Sequence, residues 1–376
     1  MSYYPLCREL EEASLEEQFA AVTEADVLRA IAKKHCTPGD FLALMSPTAA
    51  PFIEDMARKA NTLTAQNFGR TIQLFTPLYL SNYCSNHCVY CGFNAKNVIP
   101  RSQLTAEQLE VEAKAIAATG LRHLLILTGE SRVKASPEYL EECVTLLRNH
   151  FPSVSIEIYA MTLEEYTRLV EVGVDGLTLF QETYDEDLYD TLHPRGPKKD
   201  FRFRLDAPER GCQAGMRVVN IGALLGLGDW RKDALQTGMH AAYLMDNYPD
   251  VDISVSLPRM RPHAGEFQPT TLVSDREMVQ LMLAMRLFLP RLGITISTRE
   301  SPDFRENLLP LGVTKMSAGV STAVGGHTQD CDKVGQFDIS DDRSVEQMCA
   351  MLKSHGYQPV FKDWEPFDRN VSGGAA

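Results

Sequence analysis

The chain has 376 residues, a formal charge of −13, 44% hydrophobic residues and nine cysteines. That is enough apolar material for a large globular domain; the acidic balance argues against a partner held through nucleic-acid phosphates, and no apolar run approaches the roughly 20 residues that span a bilayer. The odd count of cysteines, six of them scattered at Cys7, Cys36, Cys143, Cys212, Cys331 and Cys349, argues against a disulfide framework.

In chain order, residues 1–70 read as a helical N-terminal extension. The start Met1-Ser2-Tyr3-Tyr4-Pro5 lacks a signal-peptide pattern, so a cytoplasmic location is expected. Ser14-Leu15-Glu16-Glu17 has the form of a capping box, Asp40 leads into Phe41, Leu42 and Leu44, and Phe52, Ile53, Met56 and Ala60 keep helical spacing. From residue 71 onward, short apolar runs of strand length alternate with amphipathic segments. The runs fall at 73–80, 123–128, 154–159, 176–180, 217–223, 252–257, 293–297 and 314–318. The segments between them carry start signals, as in Thr105-Ala106-Glu107-Gln108 and Thr162-Leu163-Glu164-Glu165, and stop signals at Gly120 and Gly173. Eight such units over about 250 residues predict an α/β fold, a (β/α)8 TIM-type barrel spanning 71–337. Residues 338–376 are expected to supply a last helix over 344–355, then a short extension packed on the barrel, with Trp364 as an anchor and 372–376 frayed.

The first long loop holds Cys84-Ser85-Asn86-His87-Cys88-Val89-Tyr90-Cys91, a C-x3-C-x2-C cluster. Three thiolates at this spacing suit one soft metal centre, and that centre is one ligand short. Two readings follow. Either a side chain such as His87 closes a zinc or iron–sulfur site and the protein is a non-catalytic scaffold, or the vacancy is kept for a substrate. Barrel active sites form at the carboxyl ends of the strands, and other polar residues sit at equivalent ends. They are Thr128-Gly129-Glu130, Gln181-Glu182-Thr183, Arg259 and Arg261, Thr298-Arg299-Glu300, and Ser317. Of these, Arg299 at the seventh strand end is the first choice for meeting a substrate at the mouth, since a guanidinium can bind an anionic group through two hydrogen bonds, with Ser317 adding another. Arg259 and Arg261, between Pro258 and Pro262, are alternatives.

The cysteine motif, with an aromatic residue just before its last Cys, resembles the radical S-adenosylmethionine enzymes. The resemblance covers nearly the whole chain. Tyr79-Leu80-Ser81-Asn82, Cys91-Gly92-Phe93, Leu127-Thr128-Gly129-Glu130, Phe180-Gln181-Glu182-Thr183-Tyr184, Leu224-Leu225-Gly226-Leu227 and Ser297-Thr298-Arg299-Glu300-Ser301 look like the tyrosine lyases of thiamine biosynthesis, among the aromatic amino acid lyases. The resemblance implies a 4Fe-4S cluster on Cys84, Cys88 and Cys91, with S-adenosylmethionine (SAM) chelating the remaining iron. It sets Tyr90 against the adenine and the backbone near Gly226 beside it. Thr128-Gly129-Glu130 stands where the family has Gly-Gly-Glu at the methionine amino group, with Thr128 replacing the first Gly. Glu182 matches a residue at the ribose or methionine part, and Arg204 matches an arginine that pairs with the cofactor carboxylate.

The implied reaction is cleavage of the Cα–Cβ bond of L-tyrosine, started by a 5′-deoxyadenosyl radical, to give 2-iminoacetate (dehydroglycine) and p-cresol. The implied partners are a flavodoxin-like reductase and a thiazole synthase. A tryptophan lyase or another radical SAM barrel is the nearest alternative. A biotin synthase-like sulfur inserter needs ligands for a second cluster, which the sequence does not offer. The related lyase of hydrogenase maturation has further C-terminal cluster cysteines, whereas here only Cys331 and Cys349 lie late.

Overall fold

Strands buried on both faces read as continuous apolar runs, and the most apolar, His123-Leu-Leu-Ile-Leu-Thr128, is such a strand. A computed structural model of the chain describes residues 2–328, 335–362 and 364. Its strands are β1 (Thr71–Ser81), β2 (His123–Thr128), β3 (Ser153–Glu157), β4 (Val174–Glu182), β5 (Val218–Ala223), β6 (Asp252–Ser256), β7 (Gly293–Ile296), β8 (Lys315–Ser317) and β9 (Gln358–Val360). All neighbours pair in parallel, in the order β2-β3-β4-β5-β6-β7-β8-β1, and β1 also pairs with β2, so the first eight strands close into a barrel. The fold is the expected α/β barrel.

The ninth strand was not expected as a strand. Thr71, Ile72 and Gln73 pair with Gln358, Pro359 and Val360. Gln73 also pairs with Lys315 of β8, so β9 occupies the edge of β1 that β2 takes over from Thr76. Three residues are too short to show a period, and proline in a strand is tolerated only where its missing N–H is not needed.

Capping follows the sequence in most places. Thr105 and Thr162 form full capping boxes before the helices Ala106–Ala118 and Leu163–Glu171, and Ser344 does so before Val345–Ser354. Ser14 does not. Its ψ of 70° leaves the extended geometry that aims a hydroxyl at the first-turn N–H groups, and its side chain makes no capping bond. Thr23 with Asp26, and Thr37 with Asp40, cap the next helices instead. Asp40 thus stands inside the first turn of its helix, where it also pairs with Lys33 at 2.7 Å.

The N-terminal helices wrap the outside of the barrel. Pro38–Met45 and Ile53–Phe68 pack on the helix Asp275–Phe288, where Phe41 stacks on Phe288 with centroids 4.6 Å apart. Tyr4–Glu12 packs on Trp230–Asn247. One apolar cluster runs from Tyr3 to Leu352, so residue 70 marks a change of element type within a continuous core. Trp364 lies under the Arg217 guanidinium at 4.6 Å, while Cys331 and 372–376 lie outside the described residues. No helix among the described residues is long and apolar enough to cross a membrane.

Candidate functional site

Strand β1 hands the chain to the cysteine loop at the barrel mouth. The loop has little regular structure, so its backbone groups are satisfied from the neighbouring segments after β2 and β4. The Ser85 N–H donates to Glu130 O at 2.8 Å, His87 N–H to Arg195 O at 2.9 Å, and Val89 N–H to Leu192 O at 3.2 Å. Arg101 braces it from within, donating to Asn82 O at 2.6 Å, Phe93 O at 2.9 Å and Asn94 O at 2.7 Å. Glycines let the backbones approach: a Cβ on Gly129 would sit 2.4 Å from Tyr83 O, and one on Gly196 would sit 2.2 Å from Asn86 Oδ1. Gly129→Ala is therefore expected to push Tyr83 and Cys84 outward. Iron content per chain after anaerobic reconstitution should fall to well under half that of the parent; full loading would show that the loop tolerates the methyl group.

Cys84, Cys88 and Cys91 line one cavity together with Asn86, Thr128, Gly129, Glu130, Glu182, Lys198 and Arg204. Among the described residues no group of three His, Cys, Asp or Glu side chains could hold a single ion. The thiols ring a space, as a multi-iron cluster requires. Burial pushes the Cys88 thiol up to about 12, against the pull of Lys198 and with Cys91 and Cys84 adding to the rise, so this sulfur needs a further cation beside it to be a thiolate. Thr128 supplies a second sign of fit, because its hydroxyl is buried with no hydrogen-bond partner among the described residues. His87 does not line this cavity.

The carboxylates around the space are held in place. Glu130 accepts from Asn86 Nδ2 at 2.6 Å, which ties the strand end to the cysteine loop. Glu182, where β4 bulges, has a φ of 75°, the one positive value at a non-glycine residue among those described. Such strain persists where the surroundings over-determine it, typically at functional sites. Its carboxylate meets Lys198 Nζ at 2.6 Å and Arg204 at 3.6 Å, and Arg204 Nε donates to Phe180 O at 2.7 Å. No motif or periodicity singles out Lys198, which sits in a one-turn helix, Pro197–Lys199.

Tyr90 faces an adjoining cavity with Cys91, Glu182, Lys198, Leu224 and Arg299. Its hydroxyl lies 2.6 Å from His193 Nε2, and His193 Nδ1 lies 2.8 Å from Tyr189 O. Burial pulls His193 down to about 2, so the ring is neutral. A carbonyl only accepts, so Nδ1 carries the proton, Nε2 accepts from Tyr90, and the Tyr90 ring is fixed. Gly226 stands apart from these linings. It lines none of these cavities: at φ 115° its carbonyl accepts from Thr270 N–H at 2.7 Å and it packs on the Met260–Thr271 loop. Leu224, two residues earlier, is the lining residue after β5.

A third cavity lies in the barrel interior, and it shares Glu157 and Phe180 with the other two. Arg299 and Ser317 both line it. The three arginines now separate. Arg259 is taken by Glu300, by Asp275 at 2.7 Å and by Val273 O at 2.9 Å, and Arg261 donates to Arg299 O and lies 3.7 Å from Glu300. Arg299 has no hydrogen-bond or ion-pair partner for its guanidinium among the described residues and lies 3.5 Å over the Phe337 ring. Ser317 Oγ accepts from Thr298 N–H at 3.1 Å, which leaves its own proton to donate.

Glu157 was missed from the sequence, although it shares the inner face of β3 with Ser155, two residues before it. Burial pushes its carboxyl up to about 7; Glu182 adds to the rise, and Arg299, Arg204 and Lys198 oppose it. An unfolded glutamate titrates at about 4.3, so between there and pH 7 the folded chain keeps a proton the unfolded chain has lost. Stability then falls as pH rises through that window. Glu157→Gln removes this slope, and the melting-temperature gap between variant and parent apoprotein should widen from pH 5 to pH 8. A constant gap would mean that Glu157 titrates normally.

Comparison with known proteins agrees with this geometry. Residues 78–237 match the Radical SAM superfamily, and residues 256–358 match the Biotin and Thiamin Synthesis associated domain. The chain is 38% identical to the 2-iminoacetate synthase of Escherichia coli (strain K12) over 361 residues, 96% of each protein. It is 38% identical to that of Salmonella typhimurium over 359 residues, 95% of each. Among solved structures it resembles HydG, a maturase of the FeFe-hydrogenase, with a TM-score of 0.88 and 31% identity over 95% of this chain and 80% of that one.

Proposed function

The chain belongs to the 2-iminoacetate synthase family of radical SAM enzymes, and on that footing we propose that it splits L-tyrosine at Cα–Cβ into 2-iminoacetate and p-cresol for thiazole formation in thiamine biosynthesis. Cys84, Cys88 and Cys91 would hold the 4Fe-4S cluster, and Thr128, Gly129, Glu130, Glu182 and Arg204 the SAM, with Tyr90 against its adenine. Bound together and given one electron by the reductase, cluster and SAM would supply a 5′-deoxyadenosyl radical as the hydrogen-abstracting species. The protein's share is therefore to decide what lies nearest and to keep water away. Arg299 would hold the substrate carboxylate, Ser317 would donate to it, and the amino group would then face Glu157 and the cysteine-lined cavity. Residues 71–337 would form the catalytic barrel, covered by 1–70 and 338–376. A flavodoxin-like reductase as electron donor, a thiazole synthase as acceptor of the product, and a cytoplasmic setting where thiols stay reduced complete the reading.

The observation that carries it is the shared lining of the three cavities: thiols at one end, an unpaired guanidinium beyond Glu157 and Phe180, and an open interior below. Reduced, anaerobically reconstituted enzyme given SAM and L-tyrosine should release p-cresol and 5′-deoxyadenosine. Turnover of tryptophan without p-cresol from tyrosine would replace this reading with a tryptophan lyase.

A further inference from the structure

The interior of a (β/α)8 barrel is ordinarily packed with bulky branched side chains. Here the layer just inside the mouth is Ser155, Thr178, Asn220, Ser256, Thr295 and Ser317, contributed by β3 to β8, and all six line the interior cavity. The facing wall, from β1 and β2, is apolar: Phe75, Pro77, Leu125 and Leu127. The space is thus a slot with one greasy side and one hydroxyl-rich side. That suits a flat ring that ends in a polar group.

Within the polar wall, Asn220 differs from its neighbours. It is the only amide among the described residues lining this cavity, and β5 lies across the barrel from β1. Its orientation is fixed in advance: Nδ2 donates to Ser256 Oγ at 3.0 Å, and Oδ1 accepts from Ser254 Oγ at 3.0 Å. An amide nitrogen carries two N–H groups, so one is left to donate. The Ser256 hydroxyl has only a long 3.4 Å contact for its own proton and a second lone pair to offer. Asn220 and Ser256 together can both donate to and accept from one incoming hydroxyl.

Position sets which hydroxyl that is. Glu157, Phe180 and Pro258 stand two residues above Ser155, Thr178 and Ser256 on the same inner faces, at the level where Arg299 meets the cavity. Two residues along a strand cover about 6.6 Å, which is close to the reach of a 4-hydroxyphenyl side chain from its Cα. A substrate held by its carboxylate at Arg299, with its amino group toward the thiols, points its side chain down the slot.

We propose that Asn220, oriented by Ser254 and Ser256, receives the phenol hydroxyl of the substrate and makes the site specific for tyrosine over phenylalanine and tryptophan. This rests on the reading of tyrosine as substrate. A site built around a hydroxyl rejects ligands that leave its buried polar groups unpaired. Phenylalanine brings neither donor nor acceptor to the amide, and indole brings only a donor.

The test is equilibrium binding of tyrosine and phenylalanine to the unreduced, cluster-loaded enzyme with SAM, where no turnover occurs. The parent should prefer tyrosine strongly. Asn220→Ala should cut the tyrosine-to-phenylalanine affinity ratio at least about tenfold, through weaker tyrosine binding. Ser256→Ala, a milder change, should move the ratio the same way, and carries the test where Asn220→Ala does not fold. Unchanged phenylalanine affinity reports an intact pocket in either variant. Parent-like ratios in folded variants, with tyrosine still bound, would overturn the role of Asn220 alone. A parent that does not bind tyrosine would overturn the substrate reading, and this assignment with it.

Discussion

Cys88→Ala is expected to leave a folded protein that neither holds a cluster nor forms p-cresol or 5′-deoxyadenosine. Cys88 is 5% exposed and sits in a small apolar cluster with Tyr90, Leu192, Leu224 and Leu227, apart from the main core. Loss of its sulfur therefore costs the fold little. The cluster fares differently. Three thiols border the cavity, and with Ala at position 88 only two remain to ligate the cluster's iron. Catalysis should fall by more than about 10⁶-fold, the low end of what enzymes achieve, because the reaction has no other radical source. Iron content, the visible absorbance of the reduced and oxidised cluster, and product formation measure it. Cys143→Ala is the control: its thiol is buried in the helix Pro137–Leu147, away from the mouth, and its loss should leave iron content unchanged. Retained iron and turnover in Cys88→Ala would sink the cluster assignment.

Much of the mouth could be read before any coordinates, because its residues follow strands whose apolar runs are unmistakable. β2 begins and ends where the run 123–128 does, and Thr128, Glu182, Arg299 and Ser317 fall at ends located by the same signal. What escaped depends on facts the chain does not encode locally. Arg259, Arg261 and Arg299 look alike in sequence; only the folded loop shows that Glu300, at 2% exposure, consumes the first two. Lys198 reaches Glu182 from a turn without periodicity, and Gly226 faces a long loop whose path no pattern foretells. Glu157 was legible in principle, as an acid at an inward position of an apolar strand, which is where burial is hardest to explain structurally.

Arg299→Lys is expected to lower kcat/KM for tyrosine by about 10²-fold or more, and Arg299→Ala further. The guanidinium lies 3.5 Å over the Phe337 ring and its donors have no partner among the described residues, which leaves a planar, forked group to meet a carboxylate. Each charge-assisted hydrogen bond contributes about 1.5–3 kcal/mol, so the loss of a bidentate pair exceeds about 3 kcal/mol in transition-state stabilisation. Part of the loss should appear in KM, since the carboxylate is bound before and during reaction. The remainder should appear as uncoupling, because an amino group no longer anchored from below leaves the radical to quench elsewhere. The ratio of 5′-deoxyadenosine to p-cresol should then rise above that of the parent. Arg259 gives the contrasting outcome that separates the two roles. Its removal takes from the buried Glu300 its hydrogen-bonded partner and leaves only Arg261 at 3.7 Å among the described cations, so Arg259→Ala should cost on the order of 3 kcal/mol of stability and lower the melting temperature. If instead Arg299→Ala unfolded the protein while Arg259→Ala raised KM for tyrosine, the two arginines would have to exchange roles, and the free guanidinium over Phe337 would be structural.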